Sequence, residues 1–273
     1  MKRSFTIAKL LTDLWQRLGL RLINLIAVTG GYDQREYAYG PGDRERLDWY
    51  VVDEKALTVV FIYGGNWRSG RRKDYRFVAD TLCQMGVNVM IADFPQYPEH
   101  RFQSILAGLV KATDHFLGTV CPEGDVILMG HSSGAQKAAL LALDRTLLKE
   151  NGRIKAMIGL SGPYDFYPFT EDDHWDLFGP EEYYPRSQPV NYVRADAPML
   201  YLLHGADDRR VRRGHSKSLM EKQLAVGGQA RREVYEAMGH VDAVVSFSRI
   251  HRRKSKLIHD IQSFIHSLQH PIK

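Results

Sequence analysis

The chain alternates between short apolar runs rich in β-branched residues and longer segments whose apolar residues recur at helical spacing. The short runs predict buried strands, and the longer segments predict helices packed on them. Strands are expected at residues 56–63, 87–92, 126–129, 154–160, 199–204 and 232–235, after an opening hairpin at 36–39 and 46–52. Helices are expected at residues 74–85, 102–117, 135–148, 215–225 and 243–268. This alternation predicts an α/β fold with a mainly parallel central sheet and helices on both of its faces.

Residues 1–30 have a different pattern, in which isoleucine and leucine recur at helical spacing: Ile7, Leu10, Leu11, Leu14, Leu18, Leu22 and Leu25. The pattern predicts an N-terminal amphipathic helix. Asp13, Arg17 and Arg21 interrupt the apolar run, which disfavours a membrane-spanning helix and a cleaved signal peptide. Two interpretations stay open. Packing over part of the domain or its active-site rim is favoured over peripheral membrane contact through residues 5–28.

Residues 31–273 are expected to form a single domain, because no linker, internal repeat or low-complexity tract divides them. Within this range, residues 161–197 are loop-rich and long enough to form a small cap-like insertion over a site. The segment carries many aromatic residues, Tyr164 among them. These aromatic side chains either line an apolar substrate pocket or pack locally beneath a long loop.

The composition is typical of a soluble globular protein with a sizeable core, because 44% of the 273 residues are hydrophobic and 25% are charged. The net charge of +5 is scattered along the chain. Since no nucleic-acid-binding motif accompanies it, a solvated basic surface is favoured over a nucleic-acid partner. Cys83 and Cys121 lie in no Cys-x-x-Cys pair and near no histidine at ligand spacing, so neither a disulfide framework nor a metal site is expected. A cytoplasmic location fits this cysteine usage.

The most informative stretch is Gly130-His131-Ser132-Ser133-Gly134, which lies between the expected strand at 126–129 and the expected helix at 135–148. A serine at a sharp turn between a strand and a helix is typical of a nucleophile elbow. Glycines on either side leave room for the neighbouring strand and helix. The helix that follows also directs its N-terminal N–H groups toward any negative charge that develops at the serine. Ser132 is therefore the candidate nucleophile.

A serine nucleophile needs a base and an acid that orients the base. Active groups gather at the carboxyl ends of parallel strands, so the loops after the later strands are the places to look. Asp207 and Asp208 follow the expected strand at 199–204, and His240 follows the last expected strand. The order serine, aspartate, histidine is the one that this architecture requires. Either aspartate satisfies that order.

With these motifs, the chain resembles the α/β-hydrolases of the carboxylesterase type, near the hormone-sensitive-lipase-like and kynurenine-formamidase-like esterases. The resemblance covers roughly residues 45–268. It rests on Tyr63-Gly64-Gly65-Asn66-Trp67, the elbow, His204-Gly205-Ala206-Asp207-Asp208-Arg209-Arg210-Val211 and Gly239-His240. It implies an α/β-hydrolase fold and selects Asp208 over Asp207 as the triad acid, with Asp165 as a less favoured substitute.

The resemblance also locates an oxyanion hole in the backbone N–H groups of Gly65, Asn66 and Ser133. Trp67 then walls the acyl pocket or lies in the core. Tyr63 stands where such families commonly have histidine, so the geometry of this loop is the part that the resemblance defines least.

These residues predict a serine hydrolase that cleaves small carboxylic esters through an acyl-enzyme, with Ser132, His240 and Asp208 as its triad and with no cofactor. One alternative is an arylformamidase-like amidase. Another is a hydrolase-fold protein that binds a ligand without catalysis.

Two basic clusters flank the expected site: Arg68, Arg71, Arg72 and Lys73 in one, and Arg209, Arg210, Arg212 and Arg213 in the other. A solvated rim is favoured over a rim that attracts anionic substrates. A third set of cations is expected on an exposed face of the last helix: Arg249, Arg252, Arg253, Lys254 and Lys256.

Overall fold

The computed structural model describes residue 19, residues 23–24 and residues 30–270. Most of the predicted amphipathic helix lies outside the described residues, so that helix and its membrane contact stay predictions. Asn24 lies against the body of the protein, where its side chain accepts the Phe77 N–H at 3.1 Å and donates to the Lys73 carbonyl at 2.6 Å. In the part of the chain that the structure describes, no helix is long and apolar enough to span a bilayer.

An eight-stranded sheet forms the centre of the protein, in the order β1-β2-β4-β3-β5-β6-β7-β8. The strands are β1 Asp33–Ala38, β2 Arg46–Val51, β3 Thr58–Ile62, β4 Asn88–Ala92, β5 Val126–His131, β6 Ile154–Leu160, β7 Met199–Gly205 and β8 Ala230–Tyr235. β2 runs antiparallel to both of its neighbours, and all other pairs after it are parallel. The predicted opening hairpin and mainly parallel sheet are confirmed.

The strands are in a register that brings their carboxyl ends to one edge of the sheet. Ile62 at the end of β3 pairs with Gly130 in β5, and Leu160 at the end of β6 pairs with Leu203 in β7. Gly205 pairs with Tyr235 where β7 and β8 end together. The loops after β3, β5, β7 and β8 therefore converge, as expected for a site in an open α/β sheet.

The helices are α1 Arg76–Cys83, α2 Phe102–His115, α3 Ser133–Leu143, α4 His174–Leu177, α5 Gly214–Ala225, α6 Asp242–Val245 and α7 Lys256–Gln269. Short 3₁₀ helices occur at Arg72–Tyr75, Asn151–Arg153, Glu181–Ser187 and Pro189–Tyr192, and a π-helix at Phe116–Val120 extends α2. The β3-to-β4 connection runs one way across the sheet, and the later connections run the other way. Right-handed crossovers in opposite directions place their helices on opposite faces.

Two helix predictions are wrong, one at its end and one in its interior. The helix expected at 135–148 stops at Leu143 because the Asp144 carboxylate accepts the N–H of Thr146 at 2.9 Å and its hydroxyl at 2.6 Å. Such a side-chain turn competes with helical hydrogen bonds.

The single helix expected at 243–268 is instead two helices, α6 and α7, separated by turns over residues 246–255. Thr81 donates to the Phe247 carbonyl at 2.6 Å, and Arg252 reaches Asp80 at 2.6 Å, so both contacts hold this segment against α1. The prediction, from the run of charges, that Arg252 lies on an exposed helical face is therefore wrong.

Candidate active site

Ser132 lies at the turn between β5 and α3, with the strained backbone of a nucleophile elbow. Its φ of 55° and ψ of −127° are rare for a residue with a side chain, and such a conformation costs about 1–3 kcal/mol. The Ser132 N–H donates to the Leu160 carbonyl at 2.9 Å, which ties the turn to β6. A Cβ at Gly134 would collide with the carbonyl oxygen of Ile62. Glycine at this position therefore lets α3 begin directly against β3.

The structure brings Ser132, His240 and Asp208 together in one hydrogen-bonded line. Ser132 Oγ lies 2.8 Å from His240 Nε2, and His240 Nδ1 lies 2.8 Å from Asp208 Oδ2. Because a carboxylate only accepts, Nδ1 carries the proton and Nε2 is free to accept the serine hydroxyl. Ser132 and His240 are only 9% and 8% exposed, so both remain reachable while most bulk water is kept away.

Asp208 is held as a carboxylate by hydrogen bonds on both of its oxygens. Oδ1 accepts the N–H groups of Arg210 at 2.9 Å and Val211 at 2.8 Å, and Oδ2 faces His240 and, at 3.4 Å, His204. Burial favours a raised pKa, but the hydrogen bonds from His204, His240 and Val211 outweigh it and hold the pKa of Asp208 well below its usual range. Asp207 is exposed, and its N–H donates to the Met238 carbonyl at 3.0 Å.

Asp165 lies away from the imidazole. Its carboxylate contacts the Ser218 hydroxyl and the Lys222 ammonium on α5. Of the three aspartates considered from the sequence, only Asp208 is hydrogen-bonded to His240 in the described residues.

His131 holds the loop that carries His240, a role that the sequence did not reveal. Its Nε2 lies 2.9 Å from the His240 carbonyl oxygen, so Nε2–H donates to it. Burial, with the nearby His240 ring, lowers the pKa of His131 to about 3. The His131 ring therefore stays neutral and joins the elbow to the backbone of the candidate base.

The loop after β3 presents unpaired backbone donors beside the elbow. Gly65 has a φ of 129°, and a Cβ there would collide with the Ser69 carbonyl oxygen, so this position requires glycine. Among the described residues, the N–H groups of Gly65 and Asn66 donate to no other protein group. A Cβ on neighbouring Gly64 would lie 3.0 Å from Ser132 Cβ. These donors thus lie close to the nucleophile, where an oxyanion hole is expected.

Trp67 and Tyr164 occupy different environments. The Trp67 ring is nearly buried and packs against aromatic side chains of the cap-like segment, residues 161–197, with the Phe178 ring 5.1 Å away and the Phe166 ring 6.1 Å away. Tyr164 is fully buried, beneath Gly159 and Gly162. The sequence suggested Tyr164 as a pocket residue, but the structure places it in the core.

The aromatic residues of the cap-like segment pack mainly on one another. Phe169 and Phe178 are buried with their rings 5.0 Å apart, whereas Tyr167 and Trp175 have exposed faces. Ion pairs also link the segment to the body, among them Arg68 with Asp173 and Arg101 with Asp176. Local packing beneath the loop is therefore confirmed for these residues, and a substrate pocket lined by them stays a prediction.

Arg72 is buried, and its assignment to a solvated basic rim is wrong. Its guanidinium lies 2.8 Å from Asp93 Oδ2 and 3.1 Å from Asp48 Oδ1, and it also pairs with Glu36. Asp93 Oδ1 accepts the Tyr63 hydroxyl at 3.0 Å. Asp93 and Arg72 therefore brace the loop after β3 through Tyr63. Asp93 directly follows β4 in the sequence, at the end of the sheet where the site lies. That position is the sequence signal from which its role could have been found.

Within residues 30–270, no group of three or more His, Cys, Asp or Glu side chains is arranged to hold a metal ion. The groups that the site does assemble are a serine hydroxyl, an imidazole nitrogen beside it, a carboxylate on the other imidazole nitrogen, and backbone donors. This set is the one that acyl transfer through a covalent intermediate requires.

Comparisons with known proteins agree with this geometry. Residues 47–223 match the model of the BD-FAE family. The isoprenylcysteine alpha-carbonyl methylesterase ICME of Arabidopsis thaliana is 26% identical over 86% of this chain and 62% of its own length. Kynurenine formamidase of Salmo salar is 28% identical over 48% of this chain and 46% of its own length. The chain thus spans less than two thirds of these relatives.

Among solved structures, esterase B of Lactobacillus rhamnosis with a bound inhibitor superposes with a TM-score of 0.76, at 17% identity over 96% of this chain and 97% of its own. At that identity the match supports the fold, and the α/β architecture predicted from the sequence is confirmed.

Proposed function

Because this chain belongs to the BD-FAE family of α/β-hydrolases, we propose that it is a serine esterase that hydrolyses small carboxylic esters. The main support for the proposal is a pair of hydrogen-bonding contacts. Ser132 Oγ lies 2.8 Å from His240 Nε2, and His240 Nδ1 lies 2.8 Å from Asp208 Oδ2. A strained serine at the carboxyl edge of the sheet and the unpaired N–H groups of Gly65 and Asn66 support it.

In the proposed reaction, Ser132 Oγ attacks the ester carbonyl while His240 Nε2 takes the hydroxyl proton. The negative charge on the carbonyl oxygen is received by the N–H groups of Gly65, Asn66 and Ser133. His240 then returns the proton to the departing alcohol. A water molecule, deprotonated by the same nitrogen, attacks the acyl-enzyme and frees Ser132. Asp208 stays ionised throughout and stabilises the imidazolium.

A formamidase activity is the second candidate, supported by the similarity to kynurenine formamidase. The same nucleophile, base and donors serve amide cleavage, so the triad does not discriminate between the two reactions. The difference lies in the leaving group, because an arylamine would need an aromatic surface. The partly exposed aromatic side chains of Phe166, Tyr167 and Trp175 offer one in the cap-like segment.

The test is a substrate panel with purified wild-type protein and its Ser132→Ala variant. The panel contains p-nitrophenyl acetate and longer acyl esters, a prenylated cysteine methyl ester, and N-formylkynurenine. Ester turnover is expected to fall at least about 10⁴-fold in Ser132→Ala, with an unchanged circular dichroism spectrum. Equal turnover by the folded variant would contradict the assignment. Higher kcat/KM for N-formylkynurenine than for any ester would favour the formamidase.

A folded wild-type protein that turns over no member of the panel and does not react with a fluorophosphonate would instead support a non-catalytic binding protein.

A further inference from the structure

The loop after β3, called the oxyanion loop below, contains two consecutive non-glycine residues whose backbone is in the left-handed region. Asn66 has a φ of 54° and Trp67 a φ of 60°. Residues with a Cβ rarely adopt this conformation, and strained backbone persists only where surrounding contacts fix it. The contacts of Trp67 therefore bear directly on where the neighbouring N–H groups of Gly65 and Asn66 point.

Trp67 is fixed by three hydrogen bonds. Its N–H donates to Ser133 Oγ at 3.4 Å, a long contact, and its carbonyl accepts the Tyr97 N–H at 3.0 Å. Its indole Nε1–H donates to Gln136 Oε1 at 2.8 Å. The indole contact is the shortest of the three, and both groups are buried, so its loss would leave polar groups without partners.

Gln136 uses both ends of its amide. It is fully buried on α3, one turn beyond the candidate nucleophile. While Oε1 accepts the indole N–H, Nε2 donates to the Ser187 carbonyl at 2.7 Å, in the cap-like segment. One donor and one acceptor on opposite sides fix the orientation of the amide. Gln136 therefore connects three parts of the protein: helix α3, the oxyanion loop and the cap-like segment.

We propose that Gln136 is a positioning residue for the oxyanion hole. Through Trp67 it holds the N–H groups of Gly65 and Asn66 at a fixed distance from the Ser133 N–H, which starts the same helix as Gln136. This inference rests on the proposed esterase function. Misplacement by about 1 Å can cost about 100-fold in rate, so loosening this contact acts on kcat more than on KM.

The test compares two substitutions at one position. Gln136→Met removes the acceptor and the donor with little change in volume. Gln136→Glu keeps an acceptor for the indole in either protonation state. With p-nitrophenyl acetate, kcat is expected to fall at least about tenfold in Gln136→Met, with KM changed less than about threefold. Gln136→Glu is expected to retain a kcat closer to the wild-type value.

A double-substitution cycle with Trp67→Phe isolates the indole contact. Trp67→Phe removes the donor but keeps an aromatic ring, so it and Gln136→Met break the same hydrogen bond. The combined variant is therefore expected to lose no more kcat than the worse of the two single variants. In the phosphonate adduct of Ser132, the phosphorus NMR shift reports the hydrogen bonds to the oxyanion. That shift is expected to move in Gln136→Met and to stay near the wild-type value in Gln136→Glu.

Gln223 provides the matched control. It is also fully buried, and its amide also joins a helix to a loop backbone, through Arg194. Gln223→Met is expected to lower the melting temperature without changing kcat.

A folded Gln136→Met variant with wild-type kcat would overturn the inference. So would a phosphorus shift unchanged in Gln136→Met, or kcat losses that simply add in the double variant. These results differ from failure of the proposed function, in which wild-type protein itself would show no Ser132-dependent turnover.

Discussion

Two buried clusters of polar side chains flank the loop after β3, and the proposed reaction moves a proton through only one of them. The triad cluster consists of Asp208, His240 and Ser132, and the arginine cluster consists of Arg72, Asp48 and Asp93. In both, a buried carboxylate faces a nitrogen at 2.8 Å. Burial and distance are therefore nearly the same in the two clusters.

The difference lies in the nitrogen partner. Imidazole has an ordinary pKa of about 6.5, so it gains and loses a proton near neutral pH. Guanidinium stays protonated throughout this range. The triad cluster also places an imidazole nitrogen 2.8 Å from a hydroxyl, whereas each of the three guanidinium nitrogens of Arg72 contacts a carboxylate. Burial and a close contact therefore do not separate the two clusters, and the distinguishing feature of the triad cluster is a nitrogen that can accept the proton of a hydroxyl.

The largest expected effect is on the rate. Asp208→Asn keeps the size of the side chain but allows the wrong imidazole tautomer, so kcat for p-nitrophenyl acetate is expected to fall about 10⁴-fold. The melting temperature should change little by comparison. The neighbouring Asp207→Asn variant, at an exposed position, should keep the wild-type kcat. A greater loss in Asp207→Asn than in Asp208→Asn would reverse the assignment of the triad acid.

The arginine cluster should show the opposite behaviour. Arg72→Met leaves Asp48 and Asp93 buried without their cation, which is expected to lower the free energy of unfolding by about 3–5 kcal/mol. Urea unfolding measures this loss, and activity per folded molecule should change much less than in Asp208→Asn. Arg71→Met is the control, since Arg71 is exposed one residue away. Equal stability of the two variants would show that the arginine cluster does not stabilise the fold.

A smaller effect concerns pH and the histidine next to the triad. His131 has a pKa of about 3 in the folded protein and about 6.5 when unfolded. As the pH falls below about 6.5, the unfolded chain binds a proton at His131 and the folded protein does not, so stability falls. Between pH 7 and pH 5 this contribution is about 2 kcal/mol.

Urea unfolding at pH 7 and pH 5 measures this contribution, and His131→Gln should lose less stability between the two than wild-type protein. Arg71→Met should keep the wild-type pH dependence in this window, because Arg71 is exposed and guanidinium does not titrate there. An identical pH dependence in His131→Gln and wild-type protein would contradict the low pKa.

The sequence predicted those parts of the molecule that depend on local pattern. Every strand was expected near its observed position, because buried strands of parallel sheets are continuous apolar runs. Ser132, Asp208 and His240 were found from their places after strands, and the register of the sheet accounts for their convergence.

The errors arose where tertiary contacts override local pattern. Arg72 and Arg252 belong to charged runs that usually mark solvated surfaces, yet each is drawn inward by an aspartate distant in the sequence. The break in the expected helix at 243–268 has the same origin. Gln136 and His131 carry no motif, and only the fold brings them against Trp67 and the His240 loop.

The most direct test of the central claim is labelling with a fluorophosphonate, followed by mass spectrometry of the peptides. We expect a single adduct on Ser132. This adduct should be absent in Ser132→Ala and should form far more slowly in Asp208→Asn. Arg72→Met, once folded, should label much faster than Asp208→Asn. An adduct on another serine, or ester turnover that survives without any adduct on Ser132, would contradict the assignment of Ser132 as the nucleophile.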